Sequence, residues 1–332
     1  MATQRQSNIE LCRLLSILLV MLVHTTHSPL VDLNSIGELL LEGFSIIGVN
    51  VFVLITGYFS TTPKKTSLIN LAFICMFWGI IKAVCHYLLG IDLNYTYLFF
   101  ITHSSWFITC YIGLLFITPI LNSFCNSVNK RTLWGAVISL LLLEMWFDWL
   151  PPRPEIRLGF QGGYSVFSFM ILYLLARAIR LHGLPKSFKR ISPLLYVVCS
   201  IALGVAGYVS HKVVPGGLCG LVFAYSNPLV ILSSVSFLMT FQSFNFKSTI
   251  INHLAKSTLA VLLGHTTIMT FYKSQFYFLY DHFNGLALIG YWSLAILIVF
   301  CGTIAVDQLR LLLYKPVDSL LKRKIKNDII YK

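Results

Sequence analysis

Charge is what this chain has least of. Only 11% of its 332 residues are charged, against about 25% in soluble domains. Acidic groups are scarcer still, with 12 Asp and Glu in all. A water-soluble protein of this length could not cover its surface with so few charges. No CxxC pair occurs among the eight cysteines, and most of them lie inside apolar runs. They read as small buried hydrophobes, so neither a disulfide framework nor a metal site is expected. The net charge of +13 comes without a basic stripe interleaved with aromatics, which argues against a nucleic-acid partner. Internal repeats, low-complexity segments and a separate soluble domain are also missing. After the basic stretch through Arg13 and the apolar run to Val23, no small-residue cleavage site follows. The segment reads as an uncleaved first helix rather than a signal peptide.

What is present is apolar sequence in repeated blocks. Hydrophobic residues make up 57% of the chain, and the mean hydropathy is +0.78. The blocks approach the ~20 residues that a helix needs to span a bilayer. Lipid-exposed backbone must satisfy its own hydrogen bonds, so the expected fold is all-α, a polytopic membrane helix bundle. About ten spans can be read, near 9–28, 36–59, 67–89, 104–124, 133–150, 162–181, 192–210, 218–240, 256–273 and 286–311. The segment 94–103, rich in Tyr and Phe, reads as interfacial. With the N-terminus in the cytoplasm, 20 of the 25 Lys and Arg fall in inside segments, which predicts both termini on that side. Residues 1–332 read as a single transmembrane domain. Residues 311–332 form a basic cytoplasmic tail expected to lie on the anionic leaflet, with membrane lipids as partners.

Ionisable groups inside a bilayer are costly, so they are the first functional candidates. The first span, RLLSILLVMLVH, carries Arg13 and His24. Eleven residues is close to three helical turns, so the two share a face about 16 Å apart along the axis. A permanently charged guanidinium suits a phosphate. An imidazole suits removing a proton from an attacking hydroxyl. The pair therefore fits an elongated donor entering from the cytoplasm. Glu10, one turn before Arg13, is expected to pair with it.

Other candidates are spread along the chain. The second span has Gly43, Gly48 and Gly57 for close helix approach, with Asn50 and Thr56 polar among them. Asn50 needs partners if buried and is expected to line a cavity. The fourth span opens HSSWFITCY, with His103, Ser104, Ser105, Trp106 and Tyr111 near an outer rim where an acceptor would approach. In the eighth, AYSNPLVILSS, Pro228 breaks a helical hydrogen bond, and Tyr225, Ser226 and Asn227 stand where they can compensate. The ninth, AKSTLAVLLGH, places His265 inside the bilayer. Glu144 and Asp148 read as the main intramembrane carboxylates.

Four of these segments together resemble the acyltransferase-3 family of bacterial membrane acyltransferases, which modify cell-surface glycans. They are IELCRLLSILLVMLVH, GVNVFVLITGYF, SSWFITCYIGLLFITPILN and STLAVLLGH, in order and at matching spacing. The resemblance implies a ten-helix bundle in the bacterial inner membrane that uses acyl coenzyme A, often acetyl coenzyme A. It implies a catalytic role for His24 and a donor role for Arg13. Where many members carry Arg-x-x-Arg after the second helix, this chain has TTPKKTSLIN. Lys64 and Lys65 keep the charge there without the fork geometry.

The expectation is an O-acyltransferase, with O-acetyl transfer as the leading case, moving an acyl group from acyl coenzyme A to a hydroxyl of a cell-surface or lipid-linked saccharide. His24 is its general base. Donor contacts are expected from Arg13, Lys64, Lys65 and Asn50. Acceptor or cavity-lining contacts are expected from Trp106, Tyr111, Ser105, Asn227 and His265. The acceptor would approach near Trp106 and the loop from Arg153 to Gly163, through a polar passage lined by Arg13, His24, Asn50 and His265. The competing reading is a glycan transporter or flippase, but paired Gly/Pro-interrupted helices are not seen.

Overall fold

The computed structural model describes residues 5–26, 35–90, 105–150, 159–214, 219–265, 278–279 and 281–330. Among them the regular structure is helical throughout, with no strand. Seven helices in the described residues are long and apolar enough to cross a membrane. The chain is a multi-pass membrane helix bundle. The elements are α1 (Ser7–Thr26), α2 (Ile36–Ser45), α3 (Gly48–Tyr58), α4 (Lys65–Leu88), α5 (Trp106–Ser127) and α6 (Lys130–Glu144). They continue with α7 (Val166–His182), α8 (Lys186–Val213), α9 (Cys219–Val222), α10 (Pro228–Gln242), α11 (Thr249–Leu254), α12 (258–265) and α13 (Gly285–Ile330).

Three expected spans look different from the rest. The stretch 162–181 becomes α7, only 17 residues long and carrying Arg177 and Arg180. The stretch 218–240 is not one helix. It breaks after α9 and restarts at α10, with Pro228 at the first helical position. There proline's missing N–H costs nothing, because that group has no intrahelical partner. The expectation of a helix broken from within by Pro228 is thus corrected. The stretch 256–273 runs beyond the described residues, as do 94–103, His103, Ser104 and 151–158. The tail 311–332 is expected to be a short basic amphipathic stretch on the leaflet. That stretch is helical as far as Ile330, as the end of the 46-residue α13, which runs through Pro316.

The chain divides into two compact units. Unit 1 holds Met1–Thr62 and Cys110–Thr258, and unit 2 holds Pro63–Thr109 and Leu259–Lys332. In unit 1 the α2–α3 pair is the centre of packing. A Cβ at Gly43 would meet the α8 backbone at Ser200 and stand 2.9 Å from Gly204 N. At Gly48 it would be 2.7 Å from Ser16 O of α1, and at Gly57 2.5 Å from Tyr173 O of α7. Three glycines thus seat one span against three different helices at backbone distance. Small residues do this in membranes because lipid supplies no hydrophobic drive and close van der Waals contact must.

Unit 2 is built around α4, α12 and α13. Ile74, Trp78 and Ala260 form its buried cluster, with Phe77, Leu263 and Val306 against it. Here α13 buries Asp307 and Arg310, one turn apart, at 0% and 1% exposure. The guanidinium donates to both carboxylate oxygens and reaches Asn70 Oδ1 at 3.4 Å. A buried ion pair persists only when each charge is neutralised this closely.

The packing makes a graded prediction. Gly43→Val and Gly57→Val should each destabilise the protein by about 1–3 kcal/mol, the usual range for overpacking. Gly135→Ala, where nothing lies within 4 Å of the new Cβ, should be neutral or stabilising by up to about 1 kcal/mol. Thermal unfolding in detergent measures all three. Equal melting temperatures across the series would mean that these close approaches do not hold the fold.

Candidate active site

The site is best built from α1. The helix is continuous over 20 residues, so Arg13 and His24 keep the register of three turns. Ile9, Ile17 and Val20 fall on the same side of the helix as this pair at 3.6 residues per turn. All three are at most 3% exposed. Leu11, Leu15, Leu18 and Leu22, on the opposite side, are partly exposed. Arg13 and His24 therefore lie on the face that looks into the protein, not on the lipid-facing stripe. Yet His24 is exposed, and the Arg13 side chain retains 25% of its accessible surface. Between them Ile17 and Val20 are sealed, with Gly48 of α3 packed on Val20. The polar groups thus open at the two ends of an apolar segment.

Each is oriented by its own helix. Arg13 Nη1 donates to Glu10 Oε2 at 2.8 Å, and Arg5 approaches the same oxygen at 3.5 Å. The expected Glu10–Arg13 pair is present. His24 Nδ1 lies 2.8 Å from the Val20 carbonyl oxygen. A carbonyl only accepts, so Nδ1 carries the proton and donates it. In the neutral ring Nε2 then holds the lone pair, which is the arrangement of a base. His265 is fixed the same way, with Nδ1 2.8 Å from Val261 O. It is 1% exposed and belongs to unit 2, whereas Arg13, His24 and Asn50 belong to unit 1.

A second polar group in unit 1 surrounds the turn between α9 and α10. Asn50 is fully buried and donates through Nδ2 to Tyr225 O at 2.9 Å. Its Oδ1 has no partner among the described residues. Tyr225 N donates to Gly162 O, and Gly162 N donates to Asp148 Oδ1. Tyr164 and Tyr225 pack with ring centroids 5.0 Å apart, and the Glu42 carboxylate interacts with both phenols. Asn227 is the N-cap of α10. Its Oδ1 accepts from Leu229 N at 2.9 Å, and its Nδ2 donates to Val222 O at 2.6 Å.

The remaining candidates are dispersed. Tyr111 lies 3.5 Å from Thr56 Oγ1 within unit 1. Ser105 and the exposed Trp106 stand at the start of α5, where the Ser105 carbonyl accepts from Thr109 N. Lys64 and Lys65 are exposed at the N-terminus of α4, the helix end that the macrodipole makes unfavourable for cations. Glu144 and Asp148 are buried, but they are not the main buried carboxylates as expected. Glu10, Glu42 and Asp307 are buried too. Glu42 was missed although LLLEGF shows a carboxylate inside an apolar run. Among the described residues no group of His, Cys, Asp and Glu could hold a metal ion.

The structure is a helical membrane bundle with Arg13 and His24 on the inward face of its first span. The chain belongs to the acyltransferase-3 family: that family's model, an acyltransferase domain, matches residues 6–307. No curated protein and no solved structure gives a match.

The cap at α10 can be tested directly. Asn227→Ala should cost about 0.5–2 kcal/mol, the range for losing an N-cap. Asn227→Ser, whose hydroxyl can still accept from the start of α10 and donate in turn, should retain more stability than the alanine variant. Melting temperatures of the two variants check the order, and a reversed order would mean that the cap is not what Asn227 supplies.

Proposed function

We propose that this membrane acyltransferase moves an acyl group, with acetyl as the leading case, from acyl coenzyme A to a hydroxyl of a cell-surface or lipid-linked saccharide. The observation that carries this reading is the His24 ring. It is anchored through Nδ1, presents Nε2 as the basic nitrogen, and stays accessible on the inward face of α1.

The reaction assigned to it is a direct transfer. Nε2 takes the proton of the sugar hydroxyl while that oxygen attacks the thioester carbonyl carbon. The tetrahedral intermediate collapses, the C–S bond breaks, and the coenzyme A thiolate leaves. The imidazolium returns its proton to that thiolate, so His24 ends neutral. Proton transfer by a positioned base is worth about 10²–10⁴-fold in rate.

Arg13 serves the donor in this reading, at the end of α1 that the distribution of Lys and Arg assigns to the cytoplasm. The same distribution puts His24 toward the opposite face, where a polar acceptor can approach without entering hydrocarbon. Because Ile17 and Val20 are sealed, the donor arm passes beside this strip rather than along it. Lys64 and Lys65 are assigned a long-range attraction for the donor's phosphates, and Tyr111, Trp106, Ser105 and His265 contacts on the acceptor side. The cytoplasmic membrane of a bacterium is the location this chemistry needs, with acyl coenzyme A on one side and glycan on the other.

His24→Ala should lower acyl transfer by at least about 100-fold while leaving the melting temperature of the purified protein unchanged. Mass spectrometry of surface glycans from strains carrying either form reads the activity. Undiminished acylation in the His24→Ala strain would remove the base from the mechanism.

A further inference from the structure

Arg177 is a buried cation that has no carboxylate partner among the described residues. It is 6% exposed and sits on α7, one turn before Arg180. Its Nη2 donates to Asn126 Oδ1 at 3.2 Å, and it hydrogen-bonds the Cys125 side chain. Among the described residues its Nε has no partner and no carboxylate pairs with it. Taking a charge out of water costs several kcal/mol unless an opposite charge compensates. Two neutral partners do not supply that compensation.

The surroundings are ordered around this gap. Arg180, exposed at the same end of α7, donates to Tyr58 OH at 3.0 Å and lies 4.8 Å from the Tyr58 ring centroid. Tyr58 is buried and ends α3. Just beyond it Ser60 takes a left-handed φ of 48°, and its carbonyl accepts from Asn122 at 3.4 Å. Tyr173 reaches Asn122 Oδ1 at 2.9 Å. All of these groups belong to unit 1. Attraction to the helix C-terminus would account for Arg180 and His182 in the last turn. It does not account for Arg177, buried five residues before the helix ends.

We propose that Arg177 and Arg180 are a phosphate-binding site, and that its occupant is the phosphate-bearing part of the coenzyme A donor. This rests on the acyl coenzyme A reading above. A guanidinium fork offers a phosphate parallel hydrogen bonds, and the exposed Arg180 gives an entry beside the buried Arg177. The ends of α3, α5 and α7 meet here, on the side that the Lys and Arg distribution assigns to the cytoplasm. The same chemistry would also suit an anionic phospholipid headgroup, which the test separates.

The experiment is calorimetric titration of the purified full-length protein in detergent with coenzyme A and, separately, with pantetheine, which lacks the phosphates. Arg180→Gln and Arg177→Lys should each weaken coenzyme A binding by about tenfold or more, about 1.4 kcal/mol. Pantetheine binding should be unchanged. Arg180→Gln changes an exposed side chain that touches Tyr58 at the protein surface, so the variant should stay folded, with at most a small fall in melting temperature, even where a change at position 177 unfolds the protein. Unchanged coenzyme A affinity in both variants overturns the proposal while leaving the transfer reaction intact. A parent protein that binds no coenzyme A overturns the donor reading as well. Phosphatidylglycerol retained by the parent but lost in Arg180→Gln, with coenzyme A affinity unchanged, would reassign the site to lipid.

Discussion

Backbone contact at three glycines governs the first unit. A helix in lipid gains little by burying apolar side chains, since the tails around it are equally apolar. Attraction must come from distance, and Gly43, Gly48 and Gly57 set that distance against α8, α1 and α7. Asn50 lies between two of them and ties α3 to the α9–α10 turn through Tyr225 O. The positions of α1 and α7, and so of His24 and Arg177, depend on this one central span.

That dependence shapes the chemistry. Gly48 brings α3 onto Ser16 and Val20, which closes the middle of the face that carries Arg13 and His24. Polar groups are left at its ends, where they cost least. The imidazole needs no second side chain to set its tautomer, because the Val20 carbonyl does so from within the same helix. An imidazole oriented by its own backbone keeps its orientation as long as α1 stays helical.

Sequence reasoning reached what depends on local periodicity. The Arg13–His24 register, the Glu10–Arg13 pair and the role of the three glycines follow from spacing along one helix. Tertiary relations were not legible. Asn227 and Pro228 could be read as a helix interrupted or as a helix begun, and only the turn packed on Gly162 shows the second. Asp307 and Arg310 sit at the edge of an expected span, where spacing alone does not show that the bundle buries them. Arg177 and Tyr58 are far apart in sequence, and nothing local says that α3 and α7 end together. Glu42 leaves a trace in the sequence, a lone carboxylate in an apolar run.

The arginines divide by how their charge is met. Arg310, the most buried, is held by Asp307 one turn away and completed by Asn70. Arg13, partly exposed, is met by Glu10. Both charges have a carboxylate partner within the chain. Arg177 is nearly as enclosed as Arg310, yet its neighbours are an amide and a thiol. With only 12 acidic residues in the chain, a carboxylate spent on an arginine is spent where the architecture alone must hold the charge. A buried guanidinium left without one is where a charge from a bound molecule has room to act.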